Sequence, residues 1–161
     1  MKEASIHIRT YKTADARALA DIYYHTIHQV NIRDYTETQV NAWAPETSLQ
    51  LEGWQKKWQN LPPLVAVAGD IVIGFAEFEQ SGHIDCFYVH HAWQGKGVGA
   101  ALMQAIFNKA VQQGISRIYA EVSITAKPFF ERKGFQVVKA QTVTIRGEAL
   151  NNFMMEKILE Q

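Results

Sequence analysis

Ile6 and Ile8 alternate with His7 and Arg9, the two-residue period of a half-buried strand running to Tyr11. The period then changes. Leu19, Ile22, Tyr23, Ile27 and Val30 recur at the spacing of an amphipathic helix, with Thr13 offering a hydroxyl cap and Asp15 a negative charge in the first turn. Tyr35 to Trp43 is a shorter helical run stopped by Pro45. Ser48 to Gln59, carrying Leu51, Trp54 and Trp58, is another, stopped by Pro62-Pro63. From Leu64 the chain reads as strands: Leu64 to Ala68 and Ile71 to Phe78 flank the tight-turn signal Gly69-Asp70 and form a hairpin. After Ser81-Gly82, His83 to Val89 is apolar on most positions of both faces, which suits a central strand. Gly97 to Gln113 is helical, with Val98, Leu102, Ala105, Ile106 and Ala110 on one broad stripe and Gly114 just past the end. Arg117 to Val122 is a strand, Thr125 to Lys133 a short helix closed by Gly134, and Phe135 to Ile145 with Leu150 to Ile158 a last strand pair. The pattern predicts one α/β (α+β) domain over residues 1–161, a mixed sheet flanked by helices.

Composition narrows the class. With 161 residues, 47% of them hydrophobic and 20% charged, the chain can bury a core and is unlike a disordered segment. Lys+Arg and Asp+Glu balance at 16 each, so no net field draws a polyanion, and no basic patch substitutes for one. The single cysteine, Cys86, cannot close an internal disulfide, and no apolar leader follows Met1-Lys2-Glu3. The longest apolar stretch, Leu64 to Ala76, is interrupted by Gly69, Asp70 and Gly74 and cannot span a bilayer. A soluble, cytoplasmic protein with neither nucleic-acid nor membrane partners is expected. No His/Cys spacing suggests zinc and no carboxylate pattern a calcium loop, so no metal is expected either.

The chemistry concentrates in Val89-His90-His91-Ala92-Trp93-Gln94-Gly95-Lys96-Gly97-Val98-Gly99-Ala100, three glycines at alternate positions between a strand and a helix. Such a junction turns the backbone sharply and leaves the first helical N–H groups aimed at an anion, with the helix dipole adding to the attraction. A Walker A loop is ruled out, because His90 stands where its first glycine belongs and Gly97 follows Lys96 where Ser or Thr is required. A dinucleotide fingerprint is formally met by Gly95, Gly97 and Ala100. That fold, however, places the loop after its first strand, whereas this one follows the fourth, and Glu121 is the only acid in the next strand.

Gln94, Gly97 and Gly99 also meet the pattern Q/R-x-x-G-x-G/A, and Phe129-Phe130-Glu131-Arg132-Lys133-Gly134-Phe135 resembles an F-Y-E-x-x-G-F segment at the expected distance downstream. In these two motifs and in its order of elements the chain resembles the GNAT superfamily of acetyl-CoA-dependent N-acetyltransferases over nearly its whole length. It also resembles a bacterial YafP-like subgroup through Asp34-Tyr35-Thr36, Trp43-Ala44-Pro45, Thr125 to Phe130 and Asn152 to Lys157. The resemblance implies the acyl-CoA N-acyltransferase fold, whose mostly antiparallel sheet is splayed at a central strand. It implies acetyl-CoA as co-substrate, with the pantetheine arm along Phe87, Tyr88 and Val89 and the pyrophosphate on the backbone of Gln94, Gly95, Lys96, Gly97, Val98, Gly99 and Ala100.

A free alkylamine has a pKa near ~10.4, so a base must take its proton before it can attack a thioester. Counting back from Gln94, His83 and Asp85 stand where several members of the family it resembles place their catalytic Glu or paired His, on one face of the strand, with Asp85 able to orient His83 or relay through water. Glu77 and Glu79 are reserve bases, read otherwise as a solvated face. Two departures stand out. Phe130 occupies the position of a tyrosine that protonates the leaving thiolate, and Ser123 that of an asparagine contacting the cofactor. Tyr88, Tyr119 or water are substitutes for the missing acid; the alternative functions are a domain that binds acetyl-CoA without turnover and, on the dinucleotide reading of the loop, an NAD(P)-dependent oxidoreductase. Tyr35 and Trp43 are expected at the acceptor site of a small-molecule or peptide amine. Cys86 and the remaining tryptophans read as core, and His90 and His91 as loop residues near the cofactor.

Overall fold

A computed structural model describes residues 5–159; the Met1-Lys2-Glu3 segment read for a leader lies outside them. The elements follow the order β1 (Ile6–Thr10), α1 (Ala16–Gln29), α2 (Glu37–Trp43), α3 (Leu51–Asn60), β2 (Leu64–Ala68), β3 (Ile71–Phe78), β4 (His83–Val89), α4 (Val98–Gln112), β5 (Arg117–Ser123), α5 (Lys127–Arg132), β6 (Gln136–Ile145) and β7 (Glu148–Ile158). One seven-stranded sheet runs β1-β2-β3-β4-β5-β7-β6, antiparallel throughout except between β4 and β5.

Local chemistry corrects some boundaries. Thr13 does not cap α1: the chain enters through a short 3-10 turn, Thr13–Asp15, where the Asp15 carboxylate accepts the Lys12 N–H at 2.8 Å and pairs with Arg9. Instead Thr36 caps α2, its hydroxyl accepting the Gln39 N–H while the Gln39 side chain accepts the Thr36 N–H, a reciprocal capping box. The run from Ser48 splits into a 3-10 turn, Glu46–Leu49, and α3 proper. Gly114, at φ 69°, ends α4, and Ile115 N–H returns to Ala110 O at 2.9 Å.

Helices cover both faces of the sheet. On one, Leu102, Met103, Ile106 and Ala110 of α4 pack with Phe130 and Phe135 on Ile73, Ala76, Ile84, Ile118 and Met155. On the other, Leu19 and Ile22 of α1 and Trp58 of α3 cover Val65, Val67 and Phe75. Each fully buried large side chain contributes about 1.5–3 kcal/mol through removal from water. Gly74 allows close approach: a Cβ there would stand 3.0 Å from Tyr88 O and 3.1 Å from Val98 Cγ1, where β3, β4 and the start of α4 converge.

Two irregularities in β4 position the site. Opposite the step from Glu77 to Phe78, β4 advances from Cys86 to Ile84, so Asp85 is an extra residue, a β-bulge. Its result is that Ile84 packs under α4 while Cys86, two residues on, packs under α1 and α3. Toward β5, pairing stops after His83↔Tyr119 and Ile84↔Ala120, and the two strands then part.

Candidate active site

Where β4 and β5 part, a cavity of about 520 Å³ opens, lined by Ile84, Asp85 and Phe87 to Val89 of β4, by β5 from Ala120 to Ser123, by the Gln94 to Ala100 loop apart from Lys96, and by Phe129 and Phe130. His90 N–H donates to Ile73 O across β3 at 2.8 Å. Since successive residues of a strand face opposite sides, the N–H groups of Phe87 and Val89 point away from β3, into this notch. Val89 O is held from above, accepting Thr26 Oγ1 at 2.9 Å and Gln94 Nε2 at 2.8 Å. Gln94 therefore clamps the strand end to the loop.

The loop itself is a cradle. Gly95 and Gly97 stand at φ 72° and 87°, conformations L side chains rarely adopt, and no heavy atom lies within 4 Å of where their Cβ atoms would be. Among the described residues no backbone carbonyl accepts the N–H groups of Gln94 to Ala100. These donors and the positive end of α4 fit a pyrophosphate, a fit that depends on backbone and not on side chains. Accordingly Lys96 leans over the Trp93 ring at 5.3 Å and does not line the cavity, and Val98 turns its side chain into the core. Gly99 is crowded, a Cβ there meeting the Phe129 ring at 3.1 Å.

Two charge clusters sit at the closed end of the notch. In the first, His83 Nδ1 is 2.5 Å from Glu79 Oε2 and Nε2 is 2.6 Å from Glu121 Oε2. Ionised carboxylates only accept, so for both contacts to be hydrogen bonds both ring nitrogens must donate, and the ring is an imidazolium. Burial works against that charge, but Glu121 and Glu79 outweigh it, and the His83 pKa is raised. Glu121 lines the notch; His83 stands behind it. The ring of Tyr119 packs beside His83, yet its hydroxyl points to Ser81 Oγ at 3.4 Å, away from the cavity, which removes Tyr119 as a proton donor to it.

In the second cluster Lys57 Nζ lies 2.8 Å from Asp85 Oδ2, 3.0 Å from Glu77 Oε1 and 3.9 Å from Cys86 Sγ. Asp85 lines the notch but does not touch His83; the bulge turns its carboxylate to Lys57, so it cannot orient the imidazole as the strand period suggested. Nor is Glu77 on a solvated face: it is 0% exposed. Burial pushes the Cys86 thiol well up, which keeps it uncharged and inert. Burial also opposes the Lys57 charge, but the Asp85 and Glu77 carboxylates outweigh it and its pKa is raised. Glu77, Asp85 and Cys86 bring ligand atoms within 4.8 Å of one another, with the Lys57 ammonium as the cation among them.

The remaining expected residues divide. Phe87 lines the notch against Phe129 and Phe130, at ring separations of 5.6 and 5.7 Å. Ser123 lines it too, its Oγ accepting the Ala126 N–H at 3.1 Å and facing the Asn31 amide at 3.4 Å. Tyr88 is a wall residue whose pKa is driven well up by burial, so it holds its proton. Trp43 lines the cavity; Tyr35 does not, being 7% exposed with its hydroxyl donating to Asn151 O at 2.6 Å and accepting Ile124 N–H at 3.0 Å. Tyr35 thus ties the α1–α2 segment to β7 and to the residue that follows β5. His90 opens a 3-10 turn, His91–Trp93, its Nδ1 accepting the Ala92 N–H at 3.0 Å. Burial, then His91 and His25, lower its pKa.

Sequence reasoning missed Thr26, Asn31, Arg33 and Thr125, all of which line the notch, and Lys57 behind it. From sequence Glu121 is visible only as a dinucleotide acid. Thr26 on α1 and Val30, the residue that caps its C-terminal end, are one turn apart, a spacing that marks a shared face but not what it covers.

Comparison with known proteins places this geometry. A family model described as an acetyltransferase (GNAT) domain matches residues 31–158. The uncharacterized N-acetyltransferase YafP of Escherichia coli is 32% identical over 151 residues, covering 94% of this chain and 95% of that protein. The L-methionine sulfoximine/L-methionine sulfone acetyltransferase of Salmonella typhimurium is 32% identical over 117 residues, 66% of this chain and 64% of its own. Among solved structures, a GCN5-related N-acetyltransferase from Rhodopseudomonas palustris superposes with a TM-score of 0.91 at 31% identity and 99% coverage of both chains. The PaiA N-acetyltransferase of Thermoplasma acidophilum, solved with coenzyme A, shares the fold at a TM-score of 0.75 and 21% identity, covering 96% of this chain and 99% of its own. The splayed strands, the glycine cradle and these relatives together make the chain a member of the GNAT family of acetyltransferases.

Proposed function

We propose that this protein moves the acetyl group of acetyl-CoA directly to the amine of a small molecule or peptide, in the notch between β4 and β5. The observation that carries this reading is the parting of β4 from β5 after two residue pairs, directly beside a cradle of unpaired N–H groups. Phe87 and Val89 offer backbone N–H groups along the notch, to the pantetheine arm and to the oxygen that becomes negative when the thioester carbonyl turns tetrahedral. Acetyl-CoA supplies the activated acetyl group. On the acceptor side Asp85 and Glu121 present carboxylates to an approaching ammonium. The Glu121–His83–Glu79 chain accepts the amine's proton once His83 is neutral, so the rate should rise with pH through the raised His83 pKa. Phe130 donates nothing; a thiol pKa near ~8.5 allows sulfur to leave as thiolate. The name of the Salmonella relative supports a small amine as the acceptor. Among the described residues no helix is long and apolar enough to cross a membrane, and a cytoplasmic setting is part of the proposal.

Thiol release from acetyl-CoA in the presence of a primary-amine panel, with calorimetric binding of acetyl-CoA, tests the reading. Binding with amine-dependent turnover is expected. Tight binding without turnover on any amine would leave a cofactor-holding domain, and stabilisation by NADH but not acetyl-CoA would reject the assignment of the cradle.

A further inference from the structure

Glu77 is a carboxylate in the middle of a sheet, fully buried, with one cation near it and no hydrogen-bond partner for Oε2. Its contact with Lys57 at 3.0 Å is an ion pair without hydrogen-bond alignment. Buried pairs of this kind add little net stability, because desolvating two charges offsets their attraction and an apolar pair would serve as well. Stability alone therefore does not account for Glu77.

Lys57 supplies the missing link. Its ammonium lies between Glu77 and Asp85, and Trp54 flanks it at 5.6 Å. Asp85 is the bulge residue, its side chain 41% exposed at the notch. With Lys57 and Asp85 alone, the pair would be neutral and the notch would present no charge on this side. With Glu77 behind it, Lys57 is already balanced, and the three groups leave one net negative charge at the end that Asp85 turns to the notch.

We infer that Glu77 is a specificity-determining residue: acting through Lys57, it keeps Asp85 effectively anionic, so that the site selects acceptors that arrive as alkylammonium cations over amines that are neutral near pH 7. The inference rests on the acetyl-transfer reading. Glu77 itself never reaches the acceptor, so its substitution separates charge from contact.

The test compares 2-phenylethylamine, a cation at neutral pH, with aniline, which is neutral there, using wild type, Glu77→Gln, Asp85→Asn and the double variant. Glu77→Gln is expected to lower kcat/KM for 2-phenylethylamine on the order of 10- to 100-fold, the value of one charge-assisted contact, with little change for aniline or in KM for acetyl-CoA. Asp85→Asn should weaken the same preference at least as much, and adding Glu77→Gln to it should change nothing more. A merely structural Glu77 would lower both amines alike, or would act additively with Asp85→Asn, and either result overturns the inference. Should Glu77→Gln not fold, an Asp85→Asn enzyme that keeps the wild-type preference overturns it as well. Wild type that turns over neither amine rejects the acetyl-transfer reading and this inference together, whereas turnover indifferent to both substitutions rejects only the inference.

Discussion

The cradle makes a prediction with a built-in control. Gly97 and Gly114 bracket the same helix, α4, both in the left-handed region at φ 87° and 69°, and both with no heavy atom within 4 Å of where a Cβ would stand. Replacing either by alanine forces an L-residue into that region, at about 1–2 kcal/mol, with no clash to add. In a chain of this size that lowers Tm by about 2–8 °C in each case. The two should part when ligand is added. Acetyl-CoA at about 100 times its Kd raises stability by about 2.7 kcal/mol through mass action. Gly114→Ala should gain this in full, because its site is remote from the notch. Gly97→Ala places a methyl where phosphate oxygens are to approach the N–H groups; a tenfold loss of affinity removes about 1.4 kcal/mol of the gain. Thermal unfolding of the three proteins, with and without one fixed acetyl-CoA concentration, reads both effects. If Gly97→Ala and Gly114→Ala are stabilised equally by acetyl-CoA, Gly97 is only a turn and the pyrophosphate lies elsewhere.

The charge pairs set further outcomes. His83→Ala should lower kcat while leaving acetyl-CoA affinity near wild type. Glu121→Gln removes one of the carboxylates that raise the His83 pKa, so the ascending limb of the kcat/KM–pH profile should move to lower pH; a limb that stays in place excludes His83 from the proton route. The same cluster stabilises the fold fully below the ordinary imidazole value and loses that contribution as pH rises through the raised one, so a fall in Tm should accompany the gain in rate. At the other end of the chain, Arg9 holds the Asp15 carboxyl below its usual range, burial opposing and the Lys12 N–H assisting. Asp15→Asn should lose about 1.5–3 kcal/mol at neutral pH. That deficit should persist above the unfolded carboxyl pKa and vanish as pH falls through the depressed folded value, as urea unfolding of both proteins down that range will read.

Periodicity is enough to place nearly every strand and helix here, and Gly or Pro marks the ends of α2, α3, β2, α4 and α5. The cradle was legible for the same reason: its donors belong to consecutive residues, and glycine is the local sign of backbone exposed for binding. The charge clusters were not. His83 was visible, but Glu79, Glu121 and Lys57 reach β4 from three different elements, and no period links residue 57 to residue 85. Tyr35 misled in the opposite direction. Its motif marked it for the acceptor, while its hydroxyl is spent on Ile124 and Asn151, holding the wall against which Trp43 stands.

A single extra residue explains why these clusters stay apart. On a regular β4, His83 and Asp85 would project side by side, and the carboxylate would complete an acid–base pair with the imidazole. The bulge at Asp85 lets Ile84 keep its place under α4 while Cys86 turns to the opposite core, and it swings Asp85 toward α3 and Lys57. On the proposed mechanism one strand then serves two tasks that need opposite electrostatics. There His83, between two carboxylates, changes charge to move a proton, while Asp85, backed by a balanced lysine, keeps its charge to hold an ammonium. Had they touched, protonated His83 would neutralise the carboxylate proposed to hold the substrate, and the two steps would oppose each other wherever His83 is charged. In the proposed reaction, parting them along the strand lets the amine be held as a cation at Asp85 and surrender its proton toward Glu121, across the same notch where β4 and β5 separate.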